Sequence, residues 1–301
     1  MELRVLHYFL TIAREETISE AAKQLHITQP TLSRQIKELE DELGKQLFIR
    51  SNKKITLTEE GILLRQRAEE ILNLVNKTEL EIASSNSVIT GEIYIGSGEA
   101  RALKVITQSI KKMQSLYSEV TFHIHSGNAP DVIEKLDNGL IDFALLTPHP
   151  KISEYNHLLL PFVHTWGILM PKDDPLAHKE SITLEDIKDK PLIVSKEIDQ
   201  LPELVEWLKN DLEHLHIIST YSLLYNASLM VEDGLGYAIC FDQLINTSGH
   251  SPLCFRPLSP RITIPYFFIW KKYQIPTKAS KYFLDIVQET VHETSQETLS
   301  L

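Results

Sequence analysis

The stretch from Ser19 to Arg50 restricts the possible folds of this chain more than any other part of it. It holds two helical patterns separated by a break at residues 26–28, and in each pattern apolar residues recur every three or four positions. These residues are Ile18, Ala21, Ala22 and Leu25 in the first pattern, and Leu32, Ile36, Leu39 and Leu43 in the second. Thr28 is suited to cap the second helix, Pro30 to stand in its first turn and Gly44 to end it. Two helices joined this tightly, with the second polar on its outer face, are typical of a helix-turn-helix.

The outer face of the second helix carries side chains suited to the base edges and phosphates of a DNA major groove. The residues that we expect to contact DNA from this helix are Gln29, Pro30, Thr31, Ser33, Arg34 and Lys37. A basic hairpin follows at residues 50–54, with Ile55–Leu57 as its returning strand. Beside a recognition helix such a hairpin forms a wing, and we expect Arg50, Lys53 and Lys54 to reach the DNA backbone or the minor groove.

An ordinary helical hairpin with a solvated polar face is the alternative interpretation. The first 60 residues contain nine lysines and arginines against ten aspartates and glutamates, so composition alone does not favour DNA binding. The positions of the charges do favour it, because no acid lies between Gln24 and Lys37 or between Lys45 and Thr58. One edge of a nearly neutral module can therefore be positive.

Residues of this region resemble the winged helix-turn-helix signature of LysR-type transcriptional regulators. The matching positions are Ala21, Ala22, Leu25, Gln29, Pro30, Leu32, Ser33, Gln35, Ile36, Leu39, Glu40, Leu43, Gly44, Leu47, Phe48 and Arg50, continued by Leu57, Thr58 and Gly61. Glu60 departs from the pattern, because the family usually has a small residue there. The rest of the chain agrees with the family in length and layout but carries no comparably sharp motif. The resemblance implies a regulator that binds double-stranded DNA and a small-molecule effector as a homodimer or homotetramer.

Length and charge limit the other possibilities. The chain has 301 residues, enough for two or three domains, and its net charge of −11 confines any nucleic-acid contact to a local surface. The N-terminal residues do not have the pattern of a signal peptide, and no apolar run is long enough to span a membrane. We therefore expect a cytoplasmic protein without a membrane partner. Cys240 and Cys254 lie in strand-like apolar segments and are expected to be reduced thiols, with a redox switch between them as the alternative.

A long helical pattern follows the wing, from Thr58 to about Ala83. Its apolar positions alternate in steps of four and three, as in a coiled-coil seam that joins two copies of the chain. The predicted seam residues are Leu64, Ala68, Ile71, Val75 and Ile82. A single helix packed on its own domain is the alternative. The boundaries predicted here are a winged helix-turn-helix domain at 1–58 and a dimerisation helix with a polar linker at 59–90.

From Gly91 onward the period changes to alternating strands and helices, which predicts parallel sheets with helices on both faces. Strands are predicted near 92–97, 120–125, 141–147, 164–170, 191–195, 217–222, 237–241, 253–257 and 264–270. Helices are predicted near 101–116, 129–138, 184–188, 202–213, 225–233 and 277–292. We expect two doubly wound α/β subdomains, the first at 91–163 and 265–301 and the second, inserted into it, at 164–264. This layout resembles the effector domain of the same family, which is similar to periplasmic binding proteins.

Ligands of open α/β sheets bind beyond the carboxyl ends of the strands. The effector-binding candidates at these ends are Ser97, Gly98, Ser126, Asn128, Thr147, Ser195 and Tyr225. Ser97 and the N–H groups of the helix that follows are suited to an anion or a carbonyl oxygen. The alternative role for these residues is turn and helix-cap chemistry, since Asn128 directly precedes a predicted helix.

Other functions fit the sequence less well. We expect no catalytic residues and no cofactor, because the Gly-x-Ser-x-Gly pattern and a set of nucleophile, base and orienting group are missing. We also expect no metal site, because His123 and His125 share a strand face without further ligands at suitable spacing. An enzyme on an α/β scaffold and an exported solute-binding protein remain as alternative functions, and binding to the DNA upstream of the protein's own gene would distinguish both from a regulator.

Overall fold

The computed structural model describes residues 1–50, 54–83, 89–209, 212–273 and 276–299. It divides into two compact units, Met1–Ser85 and Asn86–Leu301. The first unit consists of α1 (Leu3–Glu15), α2 (Ile18–Gln24), α3 (Gln29–Leu43), β1 (Phe48–Arg50), β2 (Ile55–Leu57) and α4 (Glu59–Ala83). β1 and β2 pair antiparallel as the predicted wing, and the apolar faces of the helices enclose one core around Phe9, Leu32 and Ile36. The predicted winged helix-turn-helix is confirmed.

Side-chain caps determine where α2 and α3 begin. Thr17 accepts a hydrogen bond from the Glu20 N–H at 3.3 Å, and Thr28 accepts one from the Thr31 N–H at 3.4 Å. Each cap satisfies a donor that has no partner inside the helix. Gly44 ends α3 with a φ of 65°, the left-handed conformation predicted for it. The break between α2 and α3 is therefore set locally by residues visible in the sequence.

The junction between wing and α4 is tightly packed. The Thr58 hydroxyl donates to the Gln46 carbonyl at 2.8 Å and accepts from the Gly61 N–H at 2.9 Å. A Cβ atom at Gly61 would lie 2.1 Å from the Leu47 carbonyl oxygen, so only glycine fits there. Glu60, the departure from the family pattern, is exposed and pairs with Lys45 at 3.1 Å. A hydrogen bond from its own backbone N–H and the Lys45 ammonium together lower the pKa of Glu60.

The first half of α4 packs on its own domain, which corrects the predicted seam. Ala68 is fully buried in the core of the first unit, and Leu64 and Ile71 pack partly buried against that core. The reason is that α4 lies against α1, which occupies the face that a partner helix would need. Val75 is half-buried, and Ile82 is 81% exposed. Of the five seam residues, the two toward the end of α4 are the ones accessible to another chain.

The second unit begins with β3 (Gly91–Ser97), α5 (Leu103–Leu116), β4 (Val120–Ser126), α6 (Ala129–Asp137), β5 (Phe143–Leu146), β6 (Tyr155–Pro171), α7 (Leu184–Ile187) and β7 (Leu192–Ser195). It continues with α8 (Pro202–Trp207), β8 (Ile217–Tyr221), α9 (Leu224–Glu232), β9 (Tyr237–Phe241), β10 (Leu253–Pro257), β11 (Thr263–Lys271) and α10 (Lys278–Leu299). One sheet has the order β4-β3-β5-β11-β6. The other consists of β6, β9, β7 and β8 in that order, with β10 on the remaining side of β6.

Each sheet is covered on both faces, which confirms the doubly wound architecture. Phe143 and Leu145 point into a core shared with α5 and α10, whereas Ala144 and Leu146 point into a core shared with α6. In the second sheet, Ile193 faces the core beneath α9, while its neighbours along β7 face the core that contains α8. A continuous apolar run such as that of β5 is what a strand buried on both faces requires.

The sheets are mixed, not parallel as the alternation of elements predicted. β6 pairs antiparallel with β11 from Tyr155 to Thr165, with β9 from Trp166 onward and with β10 from Gly167 onward, so a single strand belongs to both sheets. The strand predicted at 164–170 is only its second half. The helix predicted at 202–213 ends at Trp207, because the chain turns at Lys209 with a φ of 56°. The long strand β6 explains the error in strand direction, since a strand that passes from one sheet to another needs no crossover helix.

Candidate functional site

The outer face of α3 is accessible in the first unit. Gln29, Pro30, Thr31, Arg34 and Lys37 are exposed and Ser33 is half-buried. The opposite face carries Leu32 and Ile36, which are buried to 0% and 1% exposure. The amphipathic spacing of α3 therefore places every predicted contact of this helix except Ser33 fully on the solvent side.

Local contacts hold these side chains only loosely. The Ser19 hydroxyl donates to Gln29 Oε1 at 3.2 Å, and the Thr28 and Thr31 hydroxyls lie 2.8 Å apart. Arg34 Nε lies 3.7 Å from Glu38 Oε1, one turn along the helix, and the Arg34 side chain is 71% exposed. An exposed ion pair at this distance contributes only a few tenths of a kcal/mol, roughly. Arg34 can exchange Glu38 for a phosphate or a base edge at little cost.

The wing is anchored at its base. The Ile55 N–H donates to the Glu16 carbonyl at 2.8 Å, and Lys54 Nζ lies 2.6 Å from Glu16 Oε2. Lys53 and the side chain of Arg50 lie outside the described residues, so the structure places one of the three predicted wing contacts. Glu40 accepts from the Leu47 and Phe48 N–H groups at 2.8 and 3.3 Å, which turns this acid toward the start of the wing.

A cleft in the second unit lies where strand ends of its two sheets meet. It has two chambers, which we name the inner chamber, with a volume of about 150 Å³, and the outer chamber, with a volume of about 470 Å³. The residues common to both chambers are Ala129, Thr147, Trp166, Glu197, Leu201 and Phe241. Because residues from both sheets line it, the volume of the cleft depends on how the two sheets are held relative to each other.

The structure places four of the seven predicted effector residues in the inner chamber, namely Gly98, Asn128, Thr147 and Ser195. The other three do not line it. Ser97 is 1% exposed and its hydroxyl donates to the Gly98 carbonyl at 2.7 Å. Ser126 is exposed, and Tyr225 is 62% exposed on the outside of α9. Each directly adjoins a lining residue in the chain, so the strand-end rule located the cleft but not every side chain in it.

Several lining residues escaped the sequence analysis. Two are carboxylates, Glu99 and Glu197, which stand one and two residues beyond the predicted Gly98 and Ser195. Four are aromatic residues from the strands themselves, Trp166, Tyr221, Phe241 and Tyr266. The carboxylates were detectable as the acids next to the predicted strand ends. No local signal identifies the aromatic residues, because they resemble ordinary core residues until the sheets are assembled.

Hydrogen bonds cross the cleft between the two sheets. Asn128, at the start of α6, donates through Nδ2 to Glu197 Oε1 at 2.5 Å, and the Ser195 hydroxyl donates to Glu197 Oε2 at 3.0 Å. Glu99, after β3, accepts from the Leu224 N–H at the start of α9. A carboxylate is stabilised at that position by the unpaired N–H groups and the dipole of the helix. Both cleft glutamates therefore join the sheets as well as line the cavity.

His164 lies at the point where β6 passes from one sheet to the other. It is 2% exposed, and its Nε2 accepts a hydrogen bond from the Arg101 N–H at 3.2 Å. Nδ1 must therefore carry the proton in the neutral ring, and it faces Asp242 Oδ1 at 3.2 Å. Burial of Asp242 acts to raise its pKa, but hydrogen bonds from His164 and the Thr165 N–H outweigh it and lower the pKa.

Aromatic rings form one wall of the inner chamber. The ring centroids of Trp166 and Phe241 lie 4.1 Å apart, and those of Phe241 and Tyr266 lie 6.3 Å apart. Tyr266 is 4% exposed, and burial raises the pKa of its hydroxyl. Within the part of the chain that the structure describes, that hydroxyl has no hydrogen-bond partner. The Tyr221 hydroxyl, by contrast, donates to the Ile239 carbonyl at 2.7 Å.

Cys240 and Cys254 are both buried thiols. Cys240 is aligned with Gly167 on one side of β6, and Cys254 is aligned with Met170 on the other. This register places their Cα atoms roughly 14 Å apart and their side chains on opposite faces of the sheet. A disulfide needs Cα atoms within about 7 Å, so the two residues cannot pair in this fold. Burial also raises the pKa of both thiols.

The chain matches known proteins over both units. Residues 3–62 match the family described as bacterial regulatory helix-turn-helix protein, lysR family, and residues 86–291 match the LysR substrate binding domain. The HTH-type transcriptional regulator BsdA of Bacillus subtilis (strain 168) is 38% identical over 201 residues, which cover 66% of this chain and 68% of BsdA. The hydrogen peroxide-inducible genes activator of Dickeya chrysanthemi is 26% identical over 194 residues, covering 64% of this chain and 63% of that protein.

Solved structures agree with the fold. Full-length CbnR complexed with its target DNA superposes with a TM-score of 0.71 at 18% identity, covering 97% of this chain and 99% of that chain. At this identity the likeness establishes the fold alone. Among the described residues, no helix is both long enough and apolar enough to cross a membrane.

Proposed function

Because this chain belongs to the LysR family of bacterial helix-turn-helix transcriptional regulators, we propose that α3 reads promoter DNA and that the cleft binds its effector. The contacts proposed for DNA are Gln29, Pro30, Thr31, Ser33, Arg34, Lys37, Arg50, Lys53 and Lys54. The observation that carries this proposal is the accessibility of the polar face of α3, whose apolar face is fully occupied by the core. If Gln29, Thr31 and Arg34 were packed beneath neighbouring elements, α3 could not enter a groove.

A gel-shift titration against the DNA upstream of the protein's own gene tests the proposal. We expect sequence-dependent binding that weakens steeply as salt rises, because cationic side chains displace counterions from the phosphates. Arg34→Ala should weaken specific binding about tenfold or more, since one good contact to a base or phosphate contributes about 1–3 kcal/mol. Arg261→Ala, an exposed arginine in the other unit, is the matched control and should bind like the wild type. Absence of DNA binding even at low salt would contradict the proposal.

Pairing of two chains would present two copies of α3 to adjacent half-sites. Val75 and Ile82, in the part of α4 that does not pack on its own domain, are the seam residues proposed for this contact. This contact between chains is supported by residues that pack α4 against the core of the first unit, namely Leu64, Ala68 and Ile71. We propose a homodimer or homotetramer, with functional boundaries at 1–58, 59–90 and 91–301.

In the second unit we propose that the segments 91–163 with 265–301 and 164–264 act as subdomains around the effector. The proposed contacts are Gly98, Asn128, Thr147 and Ser195, with Glu99, Glu197 and the aromatic wall added by the structure. Effector binding would change the angle between the two sheets at the His164 crossing. By linkage, the effector must bind one DNA-competent arrangement more tightly than the other.

We further infer a cytoplasmic regulator without catalysis of its own, since family members act on DNA inside the cell. Peroxide sensing, suggested by the name of one relative, receives no support from the cysteines, because Cys240 and Cys254 lie on opposite faces of a sheet. A small-molecule effector in the cleft is the function that the geometry supports best.

A further inference from the structure

The cleft carries negative charge on its lining. Glu99 and Glu197 line the inner chamber, and Glu197 and Glu203 line the outer one. Over the described part of the chain, neither chamber is lined by a lysine or an arginine. His149, in the outer chamber, has its pKa lowered by burial first and then by Lys151, which keeps it neutral near pH 7. A carboxylate ligand would therefore enter a cleft in which every charged lining side chain repels it.

The hydrogen bonds of the two glutamates leave them able to accept more. Glu99 is bound through Oε2 to a single backbone N–H, and Glu197 receives one bond at each oxygen. A carboxylate offers about four lone-pair sites, so both groups retain acceptor capacity toward the cavity. Both line the inner chamber together with Tyr221. The two acids therefore face one cavity.

The remaining wall is suited to the same kind of ligand. Trp166, Phe241 and Tyr266 present neighbouring rings, and the face of an aromatic ring attracts a cation. The Tyr266 hydroxyl, buried and without a partner among the described residues, is a polar group on this wall that a ligand can satisfy. Burying such a hydroxyl unpaired is costly, which argues that something polar fills the chamber.

We propose that the effector of this regulator is a cationic small molecule, an amine or amidine on a compact apolar body. Its cation lies between Glu99 and Glu197, and its apolar part packs against Trp166 and Phe241. This inference rests on the proposed function for its biological meaning but concerns only the chemistry of the cleft. It replaces the anion suggested by the strand-end pattern at Ser97, whose hydroxyl is already bonded to the Gly98 carbonyl.

The test uses full-length protein and three small probes that share a phenyl ring, namely benzylamine, benzyl alcohol and benzoate. At neutral pH they are a cation, a neutral molecule and an anion, and binding is measured by calorimetry or by quenching of tryptophan fluorescence. We expect benzylamine to bind at least tenfold more tightly than benzyl alcohol, and benzoate to bind most weakly. Benzylamine that binds no better than benzyl alcohol, including no binding of either at millimolar concentration, overturns the proposal, as does a preference for benzoate.

Glu197→Gln and Glu99→Gln then locate the preference. In Glu197→Gln the amide oxygen still accepts from Asn128, and the Ser195 hydroxyl can turn to accept from the new NH2 group. In Glu99→Gln the amide oxygen still accepts from the Leu224 N–H, so each variant removes one charge and retains the cleft. Each variant should lose about tenfold in benzylamine affinity and leave benzyl alcohol unchanged. Glu206→Gln, an exposed glutamate on α8 outside the lining, is the matched control. Equal benzylamine affinity in the control and both cleft variants would overturn the assignment.

A gel shift with the same protein preparation separates the two proposals. If the protein binds promoter DNA but prefers benzoate, the inferred ligand class is wrong and the proposed regulatory function is still supported. If it binds benzylamine through Glu197 but no DNA, the cleft chemistry stands and the proposed regulatory function is wrong.

Discussion

The outer face of α3 and the effector cleft are built in opposite ways. The α3 face comes from one helix, its side chains are exposed, and its ion pairs are few and exposed. The cleft is assembled from strand ends of two sheets, is lined by half-buried carboxylates and by aromatic rings, and is crossed by hydrogen bonds between those sheets. A surface on a single element can be altered one side chain at a time, whereas a cleft between sheets responds as a unit.

The variant with the largest expected effect should disrupt the unit that carries the α3 face and leave the effector cleft intact. Gly61→Ala would place a Cβ atom 2.1 Å from the Leu47 carbonyl oxygen, so β1 or α4 must move. We expect the first unit to lose about 3 kcal/mol of unfolding free energy and DNA binding to fail, while benzylamine binding in the cleft is unchanged. Gly44→Ala is the control, since it meets no atom within 4 Å and incurs only the strain of its φ of 65°. Two unfolding transitions in calorimetry would show which unit is affected, and equal loss in both variants would contradict the clash.

Val75→Asp tests whether the α3 face depends on a second chain. An ionised side chain in an apolar contact should weaken pairing by about 2 kcal/mol, a factor of about thirty in the dimer dissociation constant. Sedimentation velocity across a concentration series measures this change. Asn76→Asp introduces the same charge at the neighbouring exposed position and should pair normally. If Val75→Asp remains as dimeric as Asn76→Asp, another surface holds the chains together.

Asp242→Asn tests whether the junction between the sheets acts as a unit. The pKa of Asp242 is lowered in the folded protein, so its charge stabilises the fold above its unfolded pKa. That stabilisation is lost as pH falls through the lowered value. At pH 7 the variant should lose about 1–2 kcal/mol from the second unit, because the bond from His164 is no longer assisted by charge. The difference from wild type in melting temperature should shrink at acidic pH, and a constant difference would assign the effect to packing.

The smallest expected effect concerns the cysteines. DNA binding by the wild type and by Cys254→Ser should be equally insensitive to micromolar peroxide. The reason is that Cys240 and Cys254 are too far apart to pair and both thiols are buried. Mass spectrometry after peroxide treatment of the wild type should show free thiols at both positions. A disulfide between them would mean that β6 can leave its place between β9 and β10.

The α3 face was predictable because its determinants are close together in the chain. Thr28, Pro30 and Gly44 limit α3 by local hydrogen bonding and backbone preference, and the spacing of Leu32 and Ile36 decides which face is buried. The seam on α4 was less predictable, because α1 covers Ala68 and only the packed domain shows it. In the cleft, the strand-end rule found Asn128 and Ser195 but included Tyr225, which lies on the outer side of α9.

The sequence by itself determined the helix-turn-helix, its polar face and the succession of strands and helices, since these follow from short-range periodicity and capping. Only the tertiary structure decided that β6 serves two sheets, that Glu99 and Glu197 share a chamber with Trp166 and Tyr266, and that no cation lines that chamber within the described residues. The physical reason is distance along the chain. Residues 99, 197 and 266 meet only after non-local strand pairing, and no local pattern encodes which charges such pairing brings together.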